Sequence, residues 1–320
     1  MKPAAKSRLL VAVGIAWALA IGVVLVTLPQ LVSAPVPELP RYTPHSGPLR
    51  VVASVAVWAD VAKQVGGDKV EVSAVLTSAQ QDPHSYEASA RDQLLVNQAD
   101  LTVANGGFYD QFFSLLEQAS PNQHRYMRAE MVMVSSAYAK DGSPVALNDH
   151  VWYDLNSVKR AADELSYRIN LGLGEQASKQ AVRSQTRAFQ KQIGELQKVQ
   201  NQLKTRVAGK KAIATEGFVA YLLHNLQITD ATPTAFKHAV EEESDASPAV
   251  MEQLRSALLN HSVNILIVNQ QTESAQTKRL VTWAKQAGVP VVRLSETLPV
   301  GMNYQTWMLG NLNQLAKAIG

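Results

Sequence analysis

Four side chains of metal-binding type stand beside predicted strands or helices of this chain. His84, in the stretch QQDPHSYEAS, comes shortly after one predicted strand, and Glu216 and Glu296 each follow another. His150, in LNDHVWYDLNS, precedes a predicted helix. Ligands of open parallel sheets bind in the crevice beyond the carboxyl ends of the strands. We therefore expect these four side chains to face one crevice.

Two imidazoles and two carboxylates form a nitrogen and oxygen ligand set for a divalent transition metal. Imidazole suits zinc and iron, carboxylate shifts the preference toward harder ions such as manganese, and four protein ligands leave no obvious open position. Asp82 and Asp149 lie near the two histidines and could accept a hydrogen bond that fixes a ring tautomer. Taken singly, a loop histidine is ordinarily structural or solvated, and a glutamate after a strand can be a helix N-terminal acid. Only the complete set predicts a metal site.

The remaining histidines are predicted to be surface or capping residues. They are His45, His124, His224, His238 and His261. The acidic run EEESD, 241–245, is predicted to be a solvated loop.

The elements that must position the four ligands alternate between strands and helices. Strands are predicted over 50–56, 70–76, 100–105, 211–215, 263–269 and 289–294. Helices are predicted over 57–67, 90–98, 108–118, 217–226, 249–261, 274–288 and 304–319, with a Pro- and acid-rich loop before Pro248. This alternation is typical of βαβ units and predicts an α/β protein with parallel sheets.

One long amphipathic helix is predicted over 175–207, with a single apolar stripe and no proline. The stripe consists of Val182, Phe189, Ile193, Leu196, Val199, Leu203 and Val207. Its length would be about 50 Å at 1.5 Å per residue. The helix is either a bundle or coiled-coil element or a rigid strut between two lobes. The predicted organisation is an N-terminal α/β lobe at 49–174, a linking helix at 175–208 and a C-terminal α/β lobe at 209–320.

The N-terminus predicts export. A basic start is followed by 20 apolar residues from Leu9 to Leu28, which fits either a cleaved signal peptide or a retained membrane anchor within 1–34. Residues 35–48 contain five prolines and form a predicted extended tether. The net charge of +3 falls to 0 without residues 1–34, which removes the argument for nucleic-acid binding. The chain has no cysteine, so disulfides, thiolate metal sites and a cysteine-linked lipid are excluded, and any anchoring must use the N-terminal segment.

Five motifs in order carry a resemblance to a known family. They are DPHSYEAS, ADLTVANGGFYD, NDHVWYDLNSV, ATEGFVAYLLHNL and PVVRLSETLPVGMNYQTWM. Together they resemble the zinc- and manganese-binding receptors of ABC-type metal importers, the TroA-like periplasmic receptor family, over about Leu49 to Gly320. The resemblance implies two α/β lobes joined by a rigid backbone helix, with the metal site in the cleft between them.

The resemblance also implies which residues bind the metal. His84 matches the first ligand, His150 the second, Glu216 the third and Glu296 the fourth, where aspartate is usual and glutamate differs in reach. A glutamate in the third position and the absence of a histidine-rich loop favour manganese, whereas the affinity order favours zinc; ferrous iron also fits. The implied function is capture of one divalent metal outside the cytoplasm, periplasmic or at the extracellular face of the membrane. The implied partners are an importer permease and its ATPase, served by a monomeric receptor that undergoes only small rearrangements on metal release.

Two other functions remain open at the sequence level. A secreted metal-dependent hydrolase would need an open coordination position and a spare base, and the chain has no H-E-x-x-H or G-x-S-x-G element. An adhesin or partner-binding module could hold the metal only structurally. Receptor, hydrolase and adhesin differ in whether metal capture serves uptake, chemistry or stability.

Overall fold

The protein forms two four-stranded parallel sheets flanked by helices, as seen in a computed structural model that describes residues 47–78, 81–120, 126–129, 149–242 and 244–320. The predicted segment 1–34, the tether 35–48 up to residue 46, His45 and His124 lie outside the described residues.

The N-terminal sheet has the strand order β2-β1-β3-β4, and every pair is parallel. Its strands are β1 (Leu49–Val55), β2 (Val70–Leu76), β3 (Leu101–Ala104) and β4 (Tyr126–Arg128). The helices between them are α1 (Ala56–Gly66), α2 (Ala90–Asn97) and α3 (Gln111–Ala119). The α2 helix begins at Ser89, which forms a reciprocal capping box with Asp92. The β1 and β3 strands are almost entirely buried, as expected for central strands covered on both faces.

The C-terminal sheet has the strand order β6-β5-β7-β8, again fully parallel. Its strands are β5 (Lys211–Ala214), β6 (Thr229–Asp230), β7 (Ile265–Asn269) and β8 (Val291–Leu294). The accompanying helices are α6 (Ala220–Leu226), α7 (Thr234–Glu241), α8 (Pro248–Leu259), α9 (Ala275–Ala287) and α10 (Tyr304–Ile319). The α9 helix ends at Gly288 with a φ of 69°, the left-handed cap that glycine adopts at low cost.

Two further helices join the sheets: α4 (Leu155–Gly172) and the long helix α5 (Gln176–Val207). The α5 helix packs against α1, α4, α6 and α10, elements of both lobes. Every residue of its predicted stripe is buried except Val199, which is half-buried. At 32 residues, α5 is about 48 Å long. It is therefore the strut between lobes and not an isolated arm.

One hydrophobic core runs from the N-terminal sheet across α5 and into the C-terminal lobe. Alternate residues of β7 face this core and a second core on the other side of the C-terminal sheet: Ile265 and Ile267 face the first, Leu266 and Val268 the second. Because the first core is continuous, separating the lobes would expose apolar side chains on α5 and α10. The fold favours small movements between them.

The predicted element boundaries match those of the structure within a few residues for most strands and helices. The predicted helix over 108–118 begins later, at Gln111, and 217–226 begins with a 3-10 turn, Gly217–Val219. The predicted loop before Pro248 contains α7, so that prediction was wrong; Pro233 is the N-cap of α7, a position where its missing N–H costs no hydrogen bond within the helix.

Candidate metal centre

His84 lies in a tight turn after β2. The Asp82 carboxylate accepts hydrogen bonds from the His84 backbone N–H at 2.9 Å and from the Ser85 hydroxyl at 2.9 Å, and Pro83 is buried. Asp82 therefore fixes the backbone of the turn. The His84 side chain is exposed, and its ring meets the edge of Tyr109 with centroids 5.1 Å apart.

His150 is held at the end of a loop that the N-terminal sheet positions. The Asn105 side-chain amide, at the end of β3, donates to the Asp149 carbonyl at 2.7 Å, and the Trp58 indole N–H donates to Asn105 Oδ1 at 3.1 Å. The His150 residue is only 7% exposed. Its Nε2 lies 3.1 Å from Glu296 Oε1, a contact between the two lobes.

Both glutamates follow C-terminal strands and are buried, as the strand-end rule predicts. Glu216 follows β5 and is 5% exposed; Glu296 follows β8 and is 7% exposed. The Asn269 side-chain amide donates to Glu216 Oε2 at 2.7 Å and to Glu296 Oε2 at 2.8 Å. The Thr272 hydroxyl also donates to Glu216, and the Tyr109 hydroxyl donates to Glu296 Oε1 at 2.8 Å. Hydrogen bonding thus satisfies both buried carboxylates.

The charges of the buried groups shift one another's pKa values. Burial, together with the neighbouring Glu296 charge, raises the pKa of Glu216 to about 7. Burial opposes protonation of His150, but Glu296, Glu216 and Asp149 together outweigh it, and the pKa of His150 is raised. Burial likewise opposes ionisation of Glu296, but His150 and the Tyr109 hydroxyl lower its pKa. The two shifts therefore each favour the charged form of the group concerned.

Aromatic side chains line the site, and hydrogen bonds of three of these residues connect the two lobes beside it. The Trp152 indole N–H donates to the Glu296 carbonyl at 2.9 Å, and the Tyr304 hydroxyl donates to the Trp152 carbonyl at 2.5 Å. The Tyr153 hydroxyl donates to the Ser295 carbonyl at 2.5 Å. These bonds tie the short 3-10 turn Val151–Tyr153 to the segment after β8. These hydrogen bonds thus fix the positions of residues on the two sides of the cleft relative to each other.

The structure brings three of the four predicted ligands into one buried network and places the fourth at its edge. His150 contacts Glu296 directly, Glu216 is joined to Glu296 through Asn269, and the His84 ring contacts Tyr109, whose hydroxyl donates to Glu296. Across the described ranges, no three His, Asp or Glu side chains are close enough together to hold a metal ion. In this arrangement polar contacts link three of the predicted ligands, His150, Glu216 and Glu296.

Two residues of the network were not selected from the sequence. Asn269 ends a predicted strand, so the strand-end rule that selected Glu216 applies equally to it. Tyr109 follows β3 in the GGFYD turn. Its hydroxyl donates to a carboxylate in the other lobe, and the local sequence does not indicate such a contact. Among the described non-site histidines, His224, His238 and His261 are exposed, as predicted.

Sequence comparison identifies the family. The family model described as "Zinc-uptake complex component A periplasmic" matches residues 51–318, most of the chain. The chain belongs to this family. Its members are substrate-binding components of uptake systems, which agrees with the receptor interpretation and not with the hydrolase.

Curated relatives support the same family assignment. The metal ABC transporter substrate-binding lipoprotein ScbA of Streptococcus cristatus is 24% identical over 288 residues, covering 86% of this chain and 90% of the relative. The manganese ABC transporter substrate-binding lipoprotein PsaA of Streptococcus pneumoniae is 24% identical over 292 residues, with the same coverage of 86% and 90%.

Solved structures share the fold. The binding protein FpvC of Pseudomonas aeruginosa, solved with Mn2+, superposes with a TM-score of 0.69 at 18% identity, covering 85% of this chain and 98% of FpvC. The periplasmic zinc-binding protein TroA of Treponema pallidum superposes with a TM-score of 0.69 at 16% identity, covering 86% and 100%. These likenesses confirm the two-lobed α/β architecture. Among the helices that the structure describes, none is both long and apolar enough to cross a membrane.

Proposed function

We propose that this chain captures one divalent transition metal, zinc or manganese, with His84, His150, Glu216 and Glu296, and delivers it to the permease of an ABC importer. Ferrous iron is a weaker candidate. The observation that carries this proposal is the direct contact of His150 with Glu296 across the lobes, with Asn269 joining Glu216 to the same network.

The chemistry of the four side chains supports a metal as the ligand. Imidazole nitrogen and carboxylate oxygen bind borderline and hard divalent ions, and two buried carboxylates supply the negative charge that offsets the cation. Metal ligands must be deprotonated, so capture near neutral pH releases protons from the site. Because the pKa of Glu216 is about 7, this carboxyl changes protonation in the same pH range in which it would bind metal.

The proposed partners follow from the family. The relatives ScbA and PsaA are named as substrate-binding components of metal and manganese ABC transporters. We assign this chain the same role outside the cytoplasm, as a monomer that meets its permease and ATPase at the membrane. With no cysteine in the chain, we assign any membrane attachment to the predicted N-terminal segment and not to a lipid-modified cysteine.

Metal stoichiometry tests the proposed site. Purified protein loaded with excess zinc or manganese and then desalted is expected to retain one metal per chain by elemental analysis. The double variant His84→Ala, His150→Ala is expected to retain almost none. A matched control, His224→Ala with His238→Ala, replaces two exposed histidines outside the network and should retain one metal per chain.

The ligand assignment and the transport role are tested by separate results. Unchanged stoichiometry in the His84, His150 variant, with an unchanged circular dichroism spectrum, would overturn the ligand assignment. Normal metal uptake by cells that lack the protein would overturn the transport role. Uptake should be compared in metal-depleted medium, with complementation by the wild-type chain as the reference.

A further inference from the structure

Asn269 occupies a fixed position at the centre of the buried network. It is the last residue of β7 and is 1% exposed. Its backbone N–H donates to the Thr215 hydroxyl at 3.0 Å, and its side-chain Oδ1 accepts the Gln271 N–H at 3.1 Å. Because Oδ1 is committed to the Gln271 N–H, the amide nitrogen must face the carboxylates.

The two amide hydrogens of Asn269 match two carboxylates. One side-chain NH2 group donates to Glu216 Oε2 at 2.7 Å and to Glu296 Oε2 at 2.8 Å. An amide NH2 has two hydrogens, so each carboxylate receives one and none is left over. The same neutral donor group thereby holds two like-charged side chains side by side.

The second oxygen of each glutamate faces elsewhere. Glu296 Oε1 lies 3.1 Å from His150 Nε2 and accepts the Tyr109 hydroxyl at 2.8 Å. Glu216 Oε1 accepts the Thr272 hydroxyl and has a second lone pair that this bond does not use. Each carboxylate therefore has one oxygen held by Asn269 and a second oxygen that Asn269 does not hold.

We infer that Asn269 is a positioning residue that limits Glu216 and Glu296 to one metal-binding oxygen each and so favours zinc over manganese. The inference rests on the proposed function, because it assumes that these glutamates are ligands. Two imidazole nitrogens and two single carboxylate oxygens make a four-coordinate set, the tetrahedral arrangement typical of zinc. Manganese is better served by a larger set rich in oxygen.

Coordination by both oxygens of either glutamate would oppose the hydrogen bonding of Asn269. The second oxygen would have to leave the amide N–H, and a buried donor without a partner is costly. The longer glutamate at position 296 gives this carboxylate the reach to turn both oxygens toward a metal. In our inference, Asn269 is the residue that prevents that turn.

The test compares two variants with a matched control. Asn269→Leu removes both donors at similar volume, and Asn269→Asp keeps the acceptor for the Gln271 N–H while replacing the donor nitrogen with oxygen. The control, Asn311→Leu, removes another buried amide, which donates to the Tyr153 hydroxyl at 3.2 Å and does not contact a predicted ligand. Each protein is titrated with zinc and manganese in competition with a chelator, and with Co2+ as a spectroscopic probe.

In wild type and control we expect the intense visible absorption of four-coordinate Co2+, and zinc binding tighter than manganese binding. In both Asn269 variants the zinc Kd should rise by about tenfold or more, as is typical when a hydrogen-bond partner of a metal ligand is lost, with a smaller change for manganese. The Co2+ absorption should weaken as coordination number rises.

Three outcomes would overturn the inference while leaving metal capture intact. They are a weak, six-coordinate Co2+ spectrum in wild type, unchanged spectra in both Asn269 variants, and equal loss of zinc and manganese affinity. Failure of wild type to bind zinc, manganese or Co2+ at all would instead refute the proposed function.

Discussion

Glu117 provides a test of how burial sets the pH dependence of stability. It lies on α3, is 3% exposed, and neither of its carboxylate oxygens accepts a hydrogen bond from the part of the chain that the structure describes. Burial raises its pKa from 4.5 to about 7. Glu117 is thus a carboxyl that the fold keeps protonated in mildly acidic solution.

The direction of the pH effect follows from the proton count. Between pH 4.5 and about 7 the folded state keeps the Glu117 proton while the unfolded state has lost it. The contribution of Glu117 to the free energy of unfolding is therefore fully present below about pH 4.5 and is lost as the pH rises through 7. Because one pKa unit corresponds to about 1.36 kcal/mol, the full loss is at most about 3 kcal/mol.

The perturbation is Glu117→Gln, which keeps the shape of the side chain and removes the ionisation. Urea unfolding of metal-free protein should give similar free energies for wild type and variant at pH 5. At pH 8 the variant should be more stable by as much as about 3 kcal/mol. The control Glu87→Gln replaces an exposed glutamate and should give the same difference from wild type at both pH values. A Glu117→Gln difference that does not change between pH 5 and 8 would refute the reasoning.

Three further changes test the core, a helix cap and the connection between lobes, each by urea unfolding. Phe189→Ala empties a buried position on α5 and should cost about 3–5 kcal/mol; a cost below about 1 kcal/mol would contradict the strut packing. Asp154→Ala removes the carboxylate that caps α4 and accepts from Asn225, and should cost about 2 kcal/mol, with Asp154→Asn less affected. Tyr304→Phe removes the hydroxyl bonded to the Trp152 carbonyl and should cost about 1 kcal/mol; no cost would mean that this bond does not hold the lobes.

The sequence predicts the buried and strongly periodic elements of this fold well. The stretch VNILIVN has the apolar run of a buried strand, and β7 occupies Ile265–Asn269. The 3.6-residue period of the long helix is unbroken, and α5 begins one residue after its predicted start. Short strands such as β6, with 2 residues, and β4, with 3, are too short to show a hydrophobic period, so the sequence does not predict them.

The shared strand order of the two sheets is not visible in the sequence. No repeat links the lobes at the level of residues, yet the orders β2-β1-β3-β4 and β6-β5-β7-β8 correspond strand by strand. Parallel strands joined by right-handed crossovers can be arranged in only a few strand orders. Many unrelated apolar sequences are therefore compatible with the same strand order. The two lobes therefore share a strand order although their sequences are not alike.

The candidate site was predictable only in part, for a related reason. Strand ends identify Glu216 and Glu296 because the parallel sheet brings them to one edge. The contact between Glu296 and His150 depends on how the two lobes pack together. The residue pattern within either lobe carries no information about that packing. The same holds for Tyr109, whose hydroxyl bonds a carboxylate 187 positions away in the sequence.

These contacts also determine where the site can change shape at least cost. Moving His150 away from Glu296 would break their 3.1 Å contact and strain the neighbouring hydrogen bonds of Trp152 and Tyr304, all in buried surroundings. His84 is exposed and meets the network through ring contact with Tyr109. Displacing an exposed imidazole leaves no buried polar group without a partner, so its cost is small. The structure therefore favours rearrangement at the His84 turn over separation of two lobes that share one core.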